Sequence, residues 1–132
     1  MPKCDTSRYD PPAPVAEVML RSLAGGSPLP NVLLLIDTLA DVTLLPASAV
    51  KQLGIAPIAG AAYDLIGFDG STSSATAVEL DMIFLGRAYR GRYLLIDDEH
   101  GVLGREVLAN VAMLFDGPGQ EWTEQRTGTK PS

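Results

Sequence analysis

The sequence predicts a mainly β protein, a small closed barrel carrying one or two short helices. Three observations predict it. Apolar runs are no longer than about five residues and are cut by Gly, Pro or Asp-Gly. A helical pattern fits only two brief windows, ASAVKQL and GREVLAN. The chain has 132 residues, 46% hydrophobic and 20% charged, which suits one domain with a real core.

Residues 1–14 are polar and Pro-rich and read as a flexible leader, ending in an extended segment that packs on the domain. Val15 to Leu23 alternates and reads as a strand, and AGGSPLP is a turn. Val32 to Asp37 is a buried strand, rich in aliphatics and too short for a helix. Val42 to Leu45 is a further short strand. Pro46 then suits the first turn of a helix over Ala47–Leu53, with Gly54 as its stop. Tyr63 to Phe68, the Asp69-Gly70 turn and the Ser/Thr-rich run after it form a β-hairpin. Thr76 to Leu85 is a long strand, Gly86-Arg87 a tight turn, and Ala88 to Asp97 the returning strand. A loop and a short helix occupy Gly101 to Asn110, and Val111 to Phe115 is the last strand. The domain therefore runs over 15–120, and a polar tail over 121–132 is expected to fray. Trp122, alone in that tail, is left to pack on the core or on a partner.

Composition excludes several function classes. A net charge of −6 argues against a nucleic-acid footprint and against an anionic membrane surface. The apolar runs fall far short of the roughly 20 residues that span a bilayer, and MPKCDTSRYDPPAP lacks the apolar stretch of a signal peptide. Cys4 is the only cysteine, so no intrachain disulfide forms, and a reducing cytoplasm fits. Cys4 sits in the leader and His100 in the polar turn DDEHG, where a solvated histidine is the plain reading. One His and one Cys cannot supply a zinc site, and no metal or other cofactor is expected. Asp97, Asp98 and Glu99 read as a solvated acidic turn.

One stretch calls for chemistry. In NVLLLIDTLADVTLLPASAV the apolar run Val32 to Ile36 ends abruptly in Asp37. A buried carboxylate is costly unless it is paired or hydrogen-bonded. The plainest reading is that Asp37 ends a strand and faces water. A haloacid-dehalogenase-type phosphatase is a poor fit, because aligning Thr38-Leu39 on that family's first motif puts Leu34 and Ile36 where its two carboxylates belong. A phosphate-binding loop needs glycines before a helix, and none follow Asp37.

The fourth reading draws on the whole domain. IDTLADVTLLP resembles the apolar-apolar-Asp-Thr-Gly-Ala active-site motif of retropepsin-like aspartic proteases. PPAPVAEVML resembles that family's leading strand, LLPASAVKQLGI the following strand and helix, and LIGFDGSTSS the flap hairpin. GVLGREVLANVAMLFDG resembles the late signature: two apolar residues, Gly-Arg-acid, a short helix and a last strand. The resemblance implies a closed acid-protease barrel with catalytic Asp37, and Thr38 bonding across to its mate beneath the dyad. It implies an active-site loop of Leu39, Ala40 and Asp41, and an ion pair between Asp41 and Arg105. It also implies a flap tip over Ile66, Gly67, Phe68, Asp69, Gly70 and Ser71, closing on a peptide or protein substrate. These enzymes need two carboxylates, and this chain offers one such motif, since Asp5-Thr6 follows no apolar strand. A complete site therefore requires a homodimer.

Leu39 departs from the motif, which has glycine there. Glycine serves where backbone approaches another group closely or takes unusual torsions. Two Leu39 side chains at a dyad would crowd the cleft, block peptide and desolvate both carboxylates, raising their pKa values. The sequence thus reads as an aspartic endopeptidase impaired at Leu39. The alternative is a non-catalytic protease-like module that binds extended peptides or dimerises.

Overall fold

A computed structural model of the chain describes residues 4–5, 11–59, 62–66, 70 and 72–125. Alternation along its longer strands turns one face inward: in β2 (Ala13–Arg21), Ala16, Val18 and Leu20 are buried while Glu17 is exposed. Among the described residues β1 (Cys4–Asp5) precedes β2. Then follow β3 (Leu29–Ile36), β4 (Leu44–Pro46), α1 (Ala47–Gln52), β5 (Ala62–Ile66), β6 (Thr72–Phe84) and β7 (Arg87–Ile96). The chain continues through β8 (Gly101–Leu103), α2 (Arg105–Leu108), β9 (Met113–Asp116) and β10 (Glu121–Glu124).

Six strands close a barrel in the order β2-β3-β8-β4-β7-β6, with β6 returning to β2. The closing seam is short: Met19, Leu20 and Arg21 lie opposite Ile83, Met82 and Asp81. A buried carboxylate locks it. Asp81 is 3% exposed and accepts from Arg90 Nε at 2.9 Å and from Arg21 Nη2 at 3.3 Å, so one carboxylate holds β2, β6 and β7 together. The hydrogen bond from Arg90 holds the Asp81 carboxyl below the usual carboxylate range, against the opposing effect of burial. Leu34, Leu45, Leu80, Met82, Leu103 and Phe84 fill the interior.

The mainly β barrel and both short helices agree with the sequence reading; the ends of the chain differ. The leader is not wholly flexible: Cys4 and Asp5 form β1 on the start of β2, and β2 begins at Ala13. Cys4 is buried, and its N–H donates to the Gln120 carbonyl at 2.8 Å. Burial pushes its thiol pKa up, away from nucleophilic character. The tail does not fray at 121–124. Trp122 is 1% exposed, its indole N–H donates to the Val15 carbonyl at 2.8 Å, and its ring packs near Phe84, centroids 6.1 Å apart. Of the two destinations left open for Trp122, the core is the one it takes. His100 is likewise no solvated turn residue. It is 7% exposed, with Nε2 4.0 Å from Asp5 Oδ2.

Candidate active site

Sheet topology decides what surrounds Asp37. Strands β3 and β8 run parallel, with Ile36 opposite Leu103. Their C-terminal ends therefore release two loops side by side, one beginning at Asp37 and the other at Gly104. The Asp37 N–H still donates to the Leu103 carbonyl at 3.1 Å, so the carboxylate leaves the barrel from a fixed backbone. The loop then turns on itself. The Ala40 N–H donates to the Asp37 carbonyl at 3.2 Å, and the Leu39 N–H donates to Asp37 Oδ1 at 2.9 Å. That last bond orients the half-buried carboxylate and leaves Oδ2 free of this contact.

The second loop is stitched to the first at several points. The Arg105 N–H donates to the Ala40 carbonyl at 2.9 Å, and the Arg105 guanidinium pairs with the Asp41 carboxylate. Both side chains are more than half exposed, so the pair itself contributes at most about 1 kcal/mol. The stronger tie is buried. Thr43, 1% exposed, donates its hydroxyl to Glu106 Oε1 and its N–H to Glu106 Oε2 at 3.0 Å. Its hydroxyl oxygen also accepts the Gly104 N–H at 3.0 Å. Gly104 is required by space: a Cβ there would lie 2.5 Å from the Val42 backbone carbonyl.

The structure thus brings Asp37, Ala40, Asp41 and Arg105 into one cross-tied pair of loops. Thr38 and Leu39 stand exposed on it, Leu39 at 69%. Leu39 is not among the described non-glycine residues with positive φ, which are Asn31, Leu85 and Gln120. The loop backbone therefore imposes no glycine torsion at that position. Ile66 and Gly70 lie on the separate β5–β6 hairpin, where Ile66 pairs with Thr72 and is 76% exposed. Gly67, Phe68, Asp69 and Ser71 lie outside the described residues. Sequence reasoning missed Thr43 and assigned no role to Glu106. The only signal was the acid following Gly-Arg, and its partner lies 63 residues away.

The comparisons bear on the barrel. Among solved structures, the chain is similar to the EIAV protease complexed with the inhibitor HBY-793, with a TM-score of 0.56 and 22% identity. The match covers 80% of this chain and 91% of that one. The fold is retropepsin-like. No protein-family model and no curated protein matches the sequence. The retropepsin-like barrel places the parallel β3–β8 pair, and hence both cross-tied loops, at one end of the molecule. Among the described residues no helix is long and apolar enough to cross a membrane.

Proposed function

We propose that this chain is an aspartic endopeptidase in a homodimer, each copy contributing Asp37, and that Leu39 impairs it. The observation that supports this most is the seating of Asp37. It directly follows β3, whose Val32 and Leu34 are buried in a retropepsin-like barrel, its carboxylate is aimed by the Leu39 N–H, and its loop is bound to a second loop at Gly104–Glu106. Two such carboxylates about 3 Å apart share one proton, because both cannot ionise at that separation; aspartic proteases are the standing example of this effect. The ionised member takes a proton from a water molecule as it attacks the scissile carbonyl carbon. The protonated member donates to the carbonyl oxygen. Thr38 of each copy braces the dyad from below, and the β5–β6 hairpin, with Ile66 at its exposed end, closes over an extended peptide and excludes water.

Leu39 decides how much of this survives. Its side chain projects from the turn that holds Asp37 and is largely exposed in the single chain. That exposure supports a second reading, a peptide-binding or dimerisation module in which two leucines occupy the place of the attacking water. The test pairs the chain with Leu39→Gly, incubated with a diverse peptide mixture from roughly pH 4 to 7, with and without a transition-state-mimicking aspartic protease inhibitor. Cleavage by the variant alone, abolished by the inhibitor and by Asp37→Asn, supports the peptidase. Cleavage by neither, with peptide affinity retained in a dimer, supports the binding module.

A further inference from the structure

We propose that the cleft between the start of β3, α1 and the β7–β8 turn is a binding site for an ammonium group carried on a short aliphatic stem. The cleft is set back from the Asp37 loop: Asn31 on its wall precedes Asp37 by six residues of mostly extended chain, up to about 20 Å. The inference does not depend on the peptidase reading.

The volume of the cleft is about 320 Å³, at the small end of the range for ligand pockets, so it suits a small head group on a short stem. Three elements wall it. On β3, Pro30 and Asn31 together stand opposite the single residue Met19, because Val18 pairs with Val32 and Leu20 with Leu29. This bulge sets Asn31 in the left-handed region, at a φ of 61°, and Asn31 forms part of the cleft wall. Asparagine tolerates that torsion better than most residues do. On α1, Ser48 and Gln52 are four residues apart and so share one face of the helix. From the turn comes the buried His100. The chain just after it is pressed against β3 and β4, since a Cβ on Gly101 would lie 2.5 Å from Leu34 Cδ2 and 2.9 Å from Pro46 Cδ. The histidine wall therefore has little room to shift.

The lining sorts into two zones. Val32, Pro46 and Ala49 are buried and apolar, and they offer contact to a hydrocarbon stem. Asn31, Ser48, Gln52 and Glu99 are exposed at the rim, and each carries a side-chain oxygen that accepts from a donor head group. Charge selects a cation. The lining includes the Glu99 carboxylate and no lysine or arginine, and Asp97 and Asp98 stand exposed in the same turn. Asp5 Oδ2 lies 4.0 Å from His100 Nε2. Such a field attracts an ammonium group and repels a carboxylate or a phosphate. A metal ion is a poorer match, since among the described residues no three His, Cys, Asp or Glu side chains come together to hold one. The same chemistry is carried by a free aliphatic amine and by the amino terminus of a peptide whose first residue is aliphatic.

The test is an NMR titration of the isotope-labelled full chain, with Trp122 fluorescence confirming that each variant is folded. The probes are n-butylamine, a leucyl-alanyl-alanine amide and, as the uncharged counterpart, the same peptide acetylated at its amino terminus. The expected result is saturable shifts at Asn31, Ser48, Gln52 and His100 with both ammonium probes, and binding of the acetylated peptide weaker by about fivefold or more. Glu99→Gln removes the rim carboxylate and Gln52→Lys sets a fixed cation there; both positions are exposed, and each variant is expected to bind the ammonium probes about fivefold more weakly or worse. Lys51→Gln, on the same helix but outside the lining, is expected to bind them at least as tightly as the parent. A peptide that binds about tenfold more tightly than n-butylamine makes a peptide amino terminus the ligand, and equal affinity makes it a free amine. No saturable shift at the four residues, equal binding of the acetylated peptide, or undiminished binding by Glu99→Gln or by Gln52→Lys overturns the site.

Discussion

The carboxylate of Glu106 receives both the hydroxyl and the backbone N–H of Thr43, across 63 residues of sequence. The same hydroxyl oxygen accepts the Gly104 N–H, so one buried threonine fixes the start of the second loop while one glutamate fixes the end of the first. Asp37 is positioned by this framework although it touches neither residue's side chain in the contacts above. Thr43→Val keeps the shape and deletes the hydroxyl, leaving a buried Gly104 N–H and a Glu106 oxygen without that partner. The expected loss is about 1–3 kcal/mol, read as a lower midpoint in urea at unchanged slope. In a Leu39→Gly background, kcat is expected to fall further than stability alone accounts for at temperatures where the barrel is fully folded.

Gly104→Ala tests the closeness of the two loops directly. The added Cβ would meet the Val42 carbonyl carbon and oxygen at 2.5 Å, and these are backbone atoms that cannot swing aside. A cost of about 2 kcal/mol or more is expected, with the Asp37 loop displaced. Gly91→Ala is the control. Nothing lies within 4 Å of its Cβ, and removing a glycine from the middle of β7 favours the strand by about 0.5 kcal/mol. Equal stability of the two variants in thermal melts would refute the close-packing account.

These two predictions mark where the sequence was legible. The end of β3 just before Asp37 was legible because a charge directly after five aliphatic residues is a local pattern, and the β5–β6 hairpin because Asp-Gly is a local turn signal. Thr43 was not, since a threonine between Val42 and Leu44 reads as ordinary strand; its role is set by Glu106, which only the fold brings near. The chain ends failed for the same reason. Two residues at Cys4–Asp5 and four at Glu121–Glu124 are too short to show a period, and their stability comes from burial of Cys4 and Trp122 against distant strands. His100 looked solvated in DDEHG because its partner, Asp5, lies at the other end of the chain.

Acid should open the barrel at its seam. The Asp81 carboxyl is held below its ordinary value in the folded chain, first by the hydrogen bond from Arg90. A depressed folded pKa contributes stability that is complete above the unfolded value of about 3.9 and is lost as pH falls from there through the folded value. The midpoint temperature is therefore expected to drop below about pH 4, and Asp81→Asn to flatten that acid limb. At pH 7 the variant is expected to lose roughly 1–2 kcal/mol, less than for a fully buried pair, because Arg21 and Arg90 are 43% and 69% exposed and regain water. An acid limb as steep in Asp81→Asn as in the parent would assign the acid sensitivity to other carboxylates.

Leu39→Gly is expected to alter chemistry without altering the fold. Leu39 is 69% exposed and its φ is not positive, so the glycine relieves no strain and vacates no core; added backbone freedom costs about 1 kcal/mol at most. The N–H that orients Asp37 Oδ1 is a backbone group and is retained in the variant. Thermal melts of parent and variant should therefore nearly coincide, while inhibitor-sensitive cleavage appears only in the variant. Leu39→Ala should fall between them, because it removes three of the four side-chain carbons while keeping a side chain's restriction on the loop. A graded rise in kcat/KM from Leu through Ala to Gly, at constant stability, identifies side-chain volume above the carboxylate as the block. A jump confined to glycine would identify backbone freedom instead, in conflict with the φ observed at this position.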